Sequence, residues 1–174
     1  MASRSRKDER LRSRAGYFGV FTALALIFSY VETLIPIHLG APGIKLGLAN
    51  LIIVIVLYRT DWRQAFLLSV VRVILAGFLF GSLFSIIYSL AGGILSLAVM
   101  AFLSRTDRFS VVGVSMAGGV CHNIGQLIVA MIIVETYQVG YYLPVLLISG
   151  LLTGAVIGVL AGEILKRIRS IRLQ

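Results

Sequence analysis

The chain has 174 residues, of which 59% are hydrophobic and 13% are charged. Soluble domains carry about 25% charged residues, so this composition excludes a water-soluble globule and predicts a polytopic, all-α membrane protein. Lys and Arg number 16 against seven acidic residues, for a formal net charge of +9, but the basic residues crowd toward the two ends of the chain. We therefore expect them to meet anionic lipid headgroups, and we expect no nucleic acid as a partner.

The sequence lacks the usual signatures of catalysis and of metal binding. Cys121 is the single cysteine, and the two histidines, His38 and His122, show no zinc-ligand spacing. A phosphate-binding G-x-x-x-x-G-K-[ST] loop, an Asp-rich motif for a magnesium-bound diphosphate and a G-x-S-x-G nucleophile turn are all missing. We therefore expect a protein that is not an enzyme and that carries neither metal nor cofactor.

Six apolar segments follow a charged first stretch. Residues 1–14 are predicted to form a basic cytoplasmic tail, residues 15–168 a six-helix transmembrane bundle, and residues 169–174 a second basic tail. The helices are predicted, to within ~2–4 residues, at 15–35, 46–58, 63–80, 83–103, 111–134 and 142–168. The second helix is short for a full span of about 20 residues, which leaves room for the preceding loop to dip into the membrane.

The distribution of Lys and Arg predicts the orientation of the helices. All of the 16 except Lys45 and Arg72 lie in the N-terminal tail, at the junctions between helices two and three and between helices four and five, or after the apolar core of helix six. Because successive helices cross the membrane in alternation, these segments share one side, and the positive-inside rule makes it the cytoplasmic side. We expect six helices in the cell membrane, with both termini in the cytoplasm.

Small residues recur at helical spacing on the last and the first helix. On the last helix they form a row that we interpret as packing within the bundle: Gly150, Gly154, Gly158 and Gly162. On the first helix a row either packs inside the bundle or docks a partner: Ala15, Gly19 and Ala23. Another row on that helix is turned away by roughly 100° and is predicted to face the interior: Thr22, Ala25, Ser29 and Glu32.

Basic and amide side chains lie on or just before the second and third helices. The stretch PGIKLGLAN (42–50) joins a turn signal to Lys45 and Asn50, at the predicted outer mouth of the bundle. Arg72 lies about nine residues, or ~13 Å, inside the third helix, where an ionisable residue costs at least ~2.5–3.5 kcal/mol on insertion scales. Two interpretations stay open for Arg72, and both can hold: a structural ion pair with Glu32, or an anchor for a carboxylate or a phosphate.

Further polar side chains lie on the fourth and fifth helices. His122, Asn123 and Gln126 share one arc of the fifth helix, which favours a lined cavity over simple packing. Tyr88, in the outer half of the fourth helix, either stacks on a ligand or packs against its neighbours. We expect no comparable set at the inner side.

These side chains are predicted to fall near the middle or in the outer half of the membrane. Together they predict an outward-opening pocket for a small anionic or polar solute: Glu32, Lys45, Asn50, Arg72, Tyr88, His122, Asn123 and Gln126.

Three motifs occur in order along the chain: PGIKLGLAN (42–50), FGSLFSIIYSLAGG (80–93) and HNIGQL (122–127). With these motifs the chain resembles the Gx transporter family, also named heptaprenyl diphosphate synthase component I. The similarity covers about residues 17–168. That family is similar to the substrate-binding S components of energy-coupling factor (ECF) transporters. The resemblance implies a six-helix fold with both termini inside, an outward-facing pocket, and dependence on a transmembrane coupling subunit and two ATPase subunits.

The resemblance also bears on partners. S components dock the coupling subunit with a small-x-x-x-small row on the first helix, and this pattern is matched by Ala15, Gly19 and Ala23. The middle position holds glycine, where alanine is usual. The synthase name implies a different role, in prenyl diphosphate or menaquinone synthesis. Because the Asp-rich motifs are missing, the chain would act there only as a non-catalytic membrane accessory. A subunit of an electron-transfer system is a further alternative, and a quinone or isoprenoid precursor as the solute would reconcile the two family names.

Overall fold

A computed structural model describes the backbone of residues 2–34 and 47–171 and the side chains of residues 15–34 and 47–168. Within these ranges the regular elements are helices, with no strand. They are α1 (Ala2–Leu34), α2 (Leu48–Arg59), α3 (Trp62–Phe80), α4 (Leu83–Ser104), α5 (Val111–Val134), a short 3-10 helix (Tyr137–Tyr142) and α6 (Leu143–Ile171). The prediction of an all-α fold is confirmed. The predicted pocket residue Lys45 lies outside the described residues.

Five helical segments are long and apolar enough to cross a membrane. They are Ala15–Leu34, Trp62–Phe80, Leu83–Ser104, Val111–Val134 and Tyr137–Ile168. The sixth helix, α2, has 12 residues and is therefore about 18 Å long, which is shorter than the ~30 Å hydrocarbon core. The chain is a polytopic helical membrane bundle, with one helix that does not span the bilayer by itself.

The helices at the two ends of the chain are longer than the sequence predicted. α1 begins at Ala2, so the segment expected to be a tail is helical, and α6 continues to Ile171. Residues 2–14 contain neither glycine nor proline and are rich in arginine, a good helix former, so the helix has no local reason to stop at the membrane surface. The cytoplasmic location of this segment stays a prediction.

The short helix α2 lies at the centre of the bundle. Its residues from Leu51 to Val56 are all buried, as is Ala49. A helix that is apolar on every side is stable only when neighbours surround it, and here α1, α3 and α6 do so. Around this centre α3 packs on α4, α4 on α5, and α5 on α6.

Glycines allow α5 and α6 to approach closely. A Cβ atom added to Gly150 would lie 2.8 Å from the carbonyl oxygen of Gly119, and one added to Gly154 would lie 2.7 Å from the Cα of Met116. Gly158 faces Val112 in the same way, whereas Gly162 has no neighbour within 4 Å among the described residues. Three of the four glycines in the row thus pack within the bundle.

The bundle has two chemically different ends. We call the end with the amino end of α1 and the carboxyl end of α6 the basic end, because six described basic residues lie there: Arg59, Arg63, Arg105, Arg108, Lys166 and Arg167. The guanidinium groups of Arg63 and Arg105 stand 5.7 Å and 5.9 Å from the ring centroid of Trp62, which ties the start of α3 to the end of α4. We call the opposite end the cavity end.

Candidate binding cavity

A cavity of about 110 Å³ extends from the cavity end to the middle of the bundle, between α1, α2, α3, α4 and α5. Five of the eight side chains predicted to form a pocket line it: Glu32, Asn50, Arg72, His122 and Gln126. These residues come from four helices and are up to 94 positions apart in sequence. The sequence predicted only that they lie at similar depths in the membrane, and the fold brings them together in one cavity.

Glu32 stabilises the start of α2. Its carboxylate oxygen Oε1 accepts a hydrogen bond from the backbone N–H of Gly47. Gly47 has a left-handed backbone with φ 75°, and its carbonyl oxygen accepts from the backbone N–H of Asn50. A carboxylate at the amino end of a helix is favoured by the helix dipole, so Glu32 stabilises the start of α2 from outside that helix.

Arg72 reaches the cavity from the middle of α3. Its Nη2 donates to the Oδ1 of Asn50 at 3.3 Å, and its Nε is buried with no hydrogen-bond partner in the described part of the chain. Glu32 acts on the guanidinium through space as an opposite charge. The cavity therefore holds a cation whose hydrogen-bonding capacity is incompletely used.

Two of the predicted residues on α5 face the same cavity. His122 and Gln126 lie one helical turn apart, and Gln126 is buried. Opposite them, a Cβ atom added to Gly92 would lie 2.8 Å from the Cγ of Gln126 and 3.1 Å from the Cε1 of His122. The absence of a side chain at Gly92 lets these two polar groups sit against α4 instead of filling the cavity.

Asn123 and Tyr88 lie elsewhere. The Nδ2 of Asn123 donates to the carbonyl oxygen of Leu146 at 2.7 Å and to the hydroxyl of Ser149 at 3.2 Å, so this side chain links α5 to α6. The ring of Tyr88 stacks on Phe84, one turn earlier on α4, at 5.8 Å between centroids. Neither residue lines the cavity, and their predicted roles in solute binding stay untested.

A sequence model named "Heptaprenyl diphosphate synthase component I" matches residues 21–164, which is most of the chain. The chain belongs to the heptaprenyl diphosphate synthase component I family. The predicted resemblance to this family is confirmed, and every described residue that lines the cavity falls inside the matched segment. No curated protein and no solved structure matches the chain.

In this family member the cavity also has lining residues that the sequence analysis did not select. They are mainly small or hydroxyl-bearing side chains, such as Thr33, Ser85 and Ser89; Ser29, which the sequence predicts to face the interior, also lines the cavity. Ser85 and Ser89 are one turn apart on α4, and this spacing was a usable signal. A serine is inexpensive inside a membrane helix, so it is a weaker indicator of a binding site than a charged group that is costly to bury.

A second hollow contradicts the expectation that nothing comparable exists at the other end. It has a volume of about 560 Å³ and lies at the basic end, between the end of α2, the start of α5 and the end of α6. Arg59, Ser110 and Lys166 line it beside apolar residues such as Val112 and Val159. The positions of Arg59 and Lys166 in the sequence predict only that both lie on the same side of the membrane, so their convergence on one hollow could not be predicted.

The first row of small residues on α1 is exposed, which agrees with docking of a partner and not with packing inside the bundle. Ala15, Gly19 and Ala23 are exposed, and a Cβ atom added to Gly19 would meet nothing within 4 Å among the described residues. Ala25 and Ser29, on the other row, are buried. The first row thus does not pack against the described bundle and is open to lipid or to another protein.

Proposed function

We propose that this family member is a non-catalytic, substrate-binding membrane subunit of an ECF-type importer, which captures a small anionic or polar solute from outside the cell. The observation that carries the proposal is the cavity around Arg72. A guanidinium at mid-membrane depth is costly, and such residues mark ligand or ion sites by default. This one reaches an open cavity with further polar groups, which supports a binding role over a purely structural one.

The proposed orientation places the cavity end outside. Six described basic residues lie at the basic end, and Lys and Arg concentrate on the cytoplasmic side of membrane proteins. With both termini in the cytoplasm of a cell-membrane protein, the cavity opens toward the external medium. This is the geometry that an importer requires for capture.

The proposed energising partner is an ECF module, which consists of a transmembrane coupling subunit and two ATPase subunits. The open row of Ala15, Gly19 and Ala23 supports this part, because small residues let a partner helix approach the backbone of α1 closely. No cofactor is needed for this function.

The family name favours a second candidate, a membrane accessory of prenyl diphosphate or menaquinone synthesis. Its partner would be a synthase and not an ATPase module. The cavity of about 110 Å³ is well below the ~300–1,000 Å³ of pockets for drug-sized ligands, which weighs against storage of a complete long prenyl chain there. A headgroup or a short precursor would fit. A purely structural subunit, for example of an electron-transfer system, is the third candidate.

The test is mass spectrometry of small molecules released from the protein purified in detergent. We expect a compound in near-stoichiometric amount with the native protein and none with Arg72→Gln. Arg108→Gln removes the same charge at the exposed basic end and should retain the compound. An empty native protein, or equal retention by Arg72→Gln, would contradict solute capture at this cavity. Size-exclusion profiles of the three proteins separate lost binding from lost folding.

The partner is tested by co-purification. Gly19→Leu places a large side chain on the open row of α1, so it should abolish recovery of the coupling and ATPase subunits. Gly162→Leu is the matched control, because Gly162 also has no described neighbour within 4 Å but lies on α6. Recovery of a prenyl synthase in place of ATPases would favour the accessory role.

A further inference from the structure

We infer that the group bound against Arg72 is the carboxylate of a small solute, and not a phosphate or a neutral group. This inference rests on the proposed solute-binding function and adds the chemical class of the ligand.

The guanidinium of Arg72 has donors to spare inside the cavity. It carries five N–H groups, of which one on Nη2 is directed to Asn50, while the buried Nε has no partner within the described residues. A buried donor without an acceptor is costly, so an occupant that accepts hydrogen bonds is favoured there. A carboxylate suits the planar fork because its two oxygens accept two parallel N–H bonds.

Glu32 is committed to another position. Its Oε1 accepts from the N–H of Gly47, where the start of α2 favours a negative charge. It acts on Arg72 as a charge through space, which reduces the cost of the buried cation while no ligand is bound. An incoming anion is then attracted by Arg72 and repelled by Glu32.

The helix ends around the cavity disfavour a phosphate. Phosphates typically bind the free N–H groups at helix amino ends. At α2 the carboxylate of Glu32 already lies at the amino end of the helix, bonded to the N–H of Gly47, and at α4 the hydroxyls of Ser82 and Ser85 accept from two of the backbone N–H groups. A phosphate also carries a charge of about −1.5 to −2, whereas the described lining offers one guanidinium beside one carboxylate, together with the imidazole of His122. A monoanion matches this charge better.

The size of the cavity limits the body of the solute. A volume of about 110 Å³ accepts a short molecule, and the wall on α3 is formed by Val73, Ala76 and Phe80. Gln126 and Ser89 supply polar groups from the other helices. The lining therefore fits a short-chain monocarboxylate, such as an aliphatic or hydroxy acid.

The first test compares acids with their neutral amides on the native protein in detergent. Binding of propionate, lactate, propionamide, lactamide and inorganic phosphate is measured by equilibrium titration and by ligand-induced thermal stabilisation. We expect the two carboxylates to bind, and the amides and phosphate to bind at least about tenfold more weakly. Equal binding of acids and amides, preferred binding of phosphate, or no binding of either acid would overturn the inference.

Variants test the two charges separately. Arg72→Gln should abolish carboxylate binding, and Arg72→Lys should restore part of it, since the charge remains without the planar fork. Glu32→Gln can still accept from Gly47 but removes a like charge, so it should tighten carboxylate binding by about threefold or more. Glu163→Gln, at the exposed basic end, is the matched control and should change nothing. Loss of binding in Glu32→Gln would mean that Glu32 contacts a cationic group of the solute, which contradicts the assigned class.

Different results would contradict the carboxylate class of the ligand and the importer function. A released compound that is neutral or phosphorylated would overturn the carboxylate class and leave solute capture intact. Selective binding of carboxylates through Arg72, with no ATPase module on co-purification, would overturn the importer function and leave the ligand class intact.

Discussion

The carboxylate of Glu32 accepts a hydrogen bond from the backbone N–H of Gly47 at 2.5 Å, across 15 positions of sequence. This bond joins the end of α1 to the start of α2. The carbonyl of Gly47 then accepts from the N–H of Asn50, and the side chain of Asn50 accepts from Arg72. The orientation of the guanidinium in the cavity thus depends on a chain of contacts that begins on α1.

Gly47→Ala should destabilise the protein and weaken solute binding. An L-residue in the left-handed conformation costs about 1–2 kcal/mol, although the added Cβ itself would be at an ordinary 3.5 Å from Asn50. The control is Gly140→Ala, whose Cβ would also have its nearest neighbour at 3.5 Å but without a positive φ. Thermal unfolding in detergent should show a lower Tm for Gly47→Ala than for Gly140→Ala. Equal values would mean that the backbone at Gly47 relaxes without cost.

Gly154→Ala should also lower the thermal stability, for a steric reason. The new Cβ would lie 2.7 Å from the Cα of Met116, and backbone atoms cannot move aside as a flexible side chain can. Overpacking of this kind costs about 1–3 kcal/mol. Gly162→Ala, two turns later in the same row, has no described neighbour within 4 Å and should leave the Tm unchanged. A Tm unaffected by Gly154→Ala would contradict the close α5–α6 contact.

Asn123→Ala should affect stability more than solute binding. The variant removes the hydrogen bonds to Leu146 and Ser149, and bonds between helices in membranes are worth about 0.6 kcal/mol on average and up to ~1.7 kcal/mol. Because Asn123 does not line the cavity, solute affinity should stay within about twofold. Titration and thermal unfolding of the same preparation measure both effects. A large loss of solute affinity at an unchanged Tm would indicate that Asn123 belongs to the binding site.

The orientation can be checked with two engineered cysteines in a Cys121→Ala background. Gln138→Cys lies in the exposed segment after α5, and Thr106→Cys lies in the exposed loop between α4 and α5. In intact cells a membrane-impermeant maleimide should label Gln138→Cys, whereas Thr106→Cys should react only after permeabilisation. The reverse pattern would place the cavity end in the cytoplasm and exclude capture from outside.

The sequence was sufficient to predict the class of the protein and most helix limits. The predicted limits of the fifth helix, 111–134, agree with α5, and those of the third and fourth agree with α3 and α4 to within one residue at each end. These limits are encoded locally, because apolar runs end where arginines, serines and glycines recur. The presence of Arg72 inside a span could be predicted in the same way, since its cost does not depend on its neighbours.

The tertiary structure alone decided which polar groups meet. Asn123 and Gln126 are three residues apart on α5, yet Gln126 lines the cavity and Asn123 bonds α6. In helices that are apolar on most sides, hydrophobicity does not distinguish the face toward lipid from the face toward a neighbour. Close backbone approach at Gly92 and Gly154 sets the rotation of α5, and the contact of Glu32 with Gly47 sets the start of α2. The sequence therefore determined a membrane bundle with a buried cation, and packing between helices determined the cavity that this cation faces.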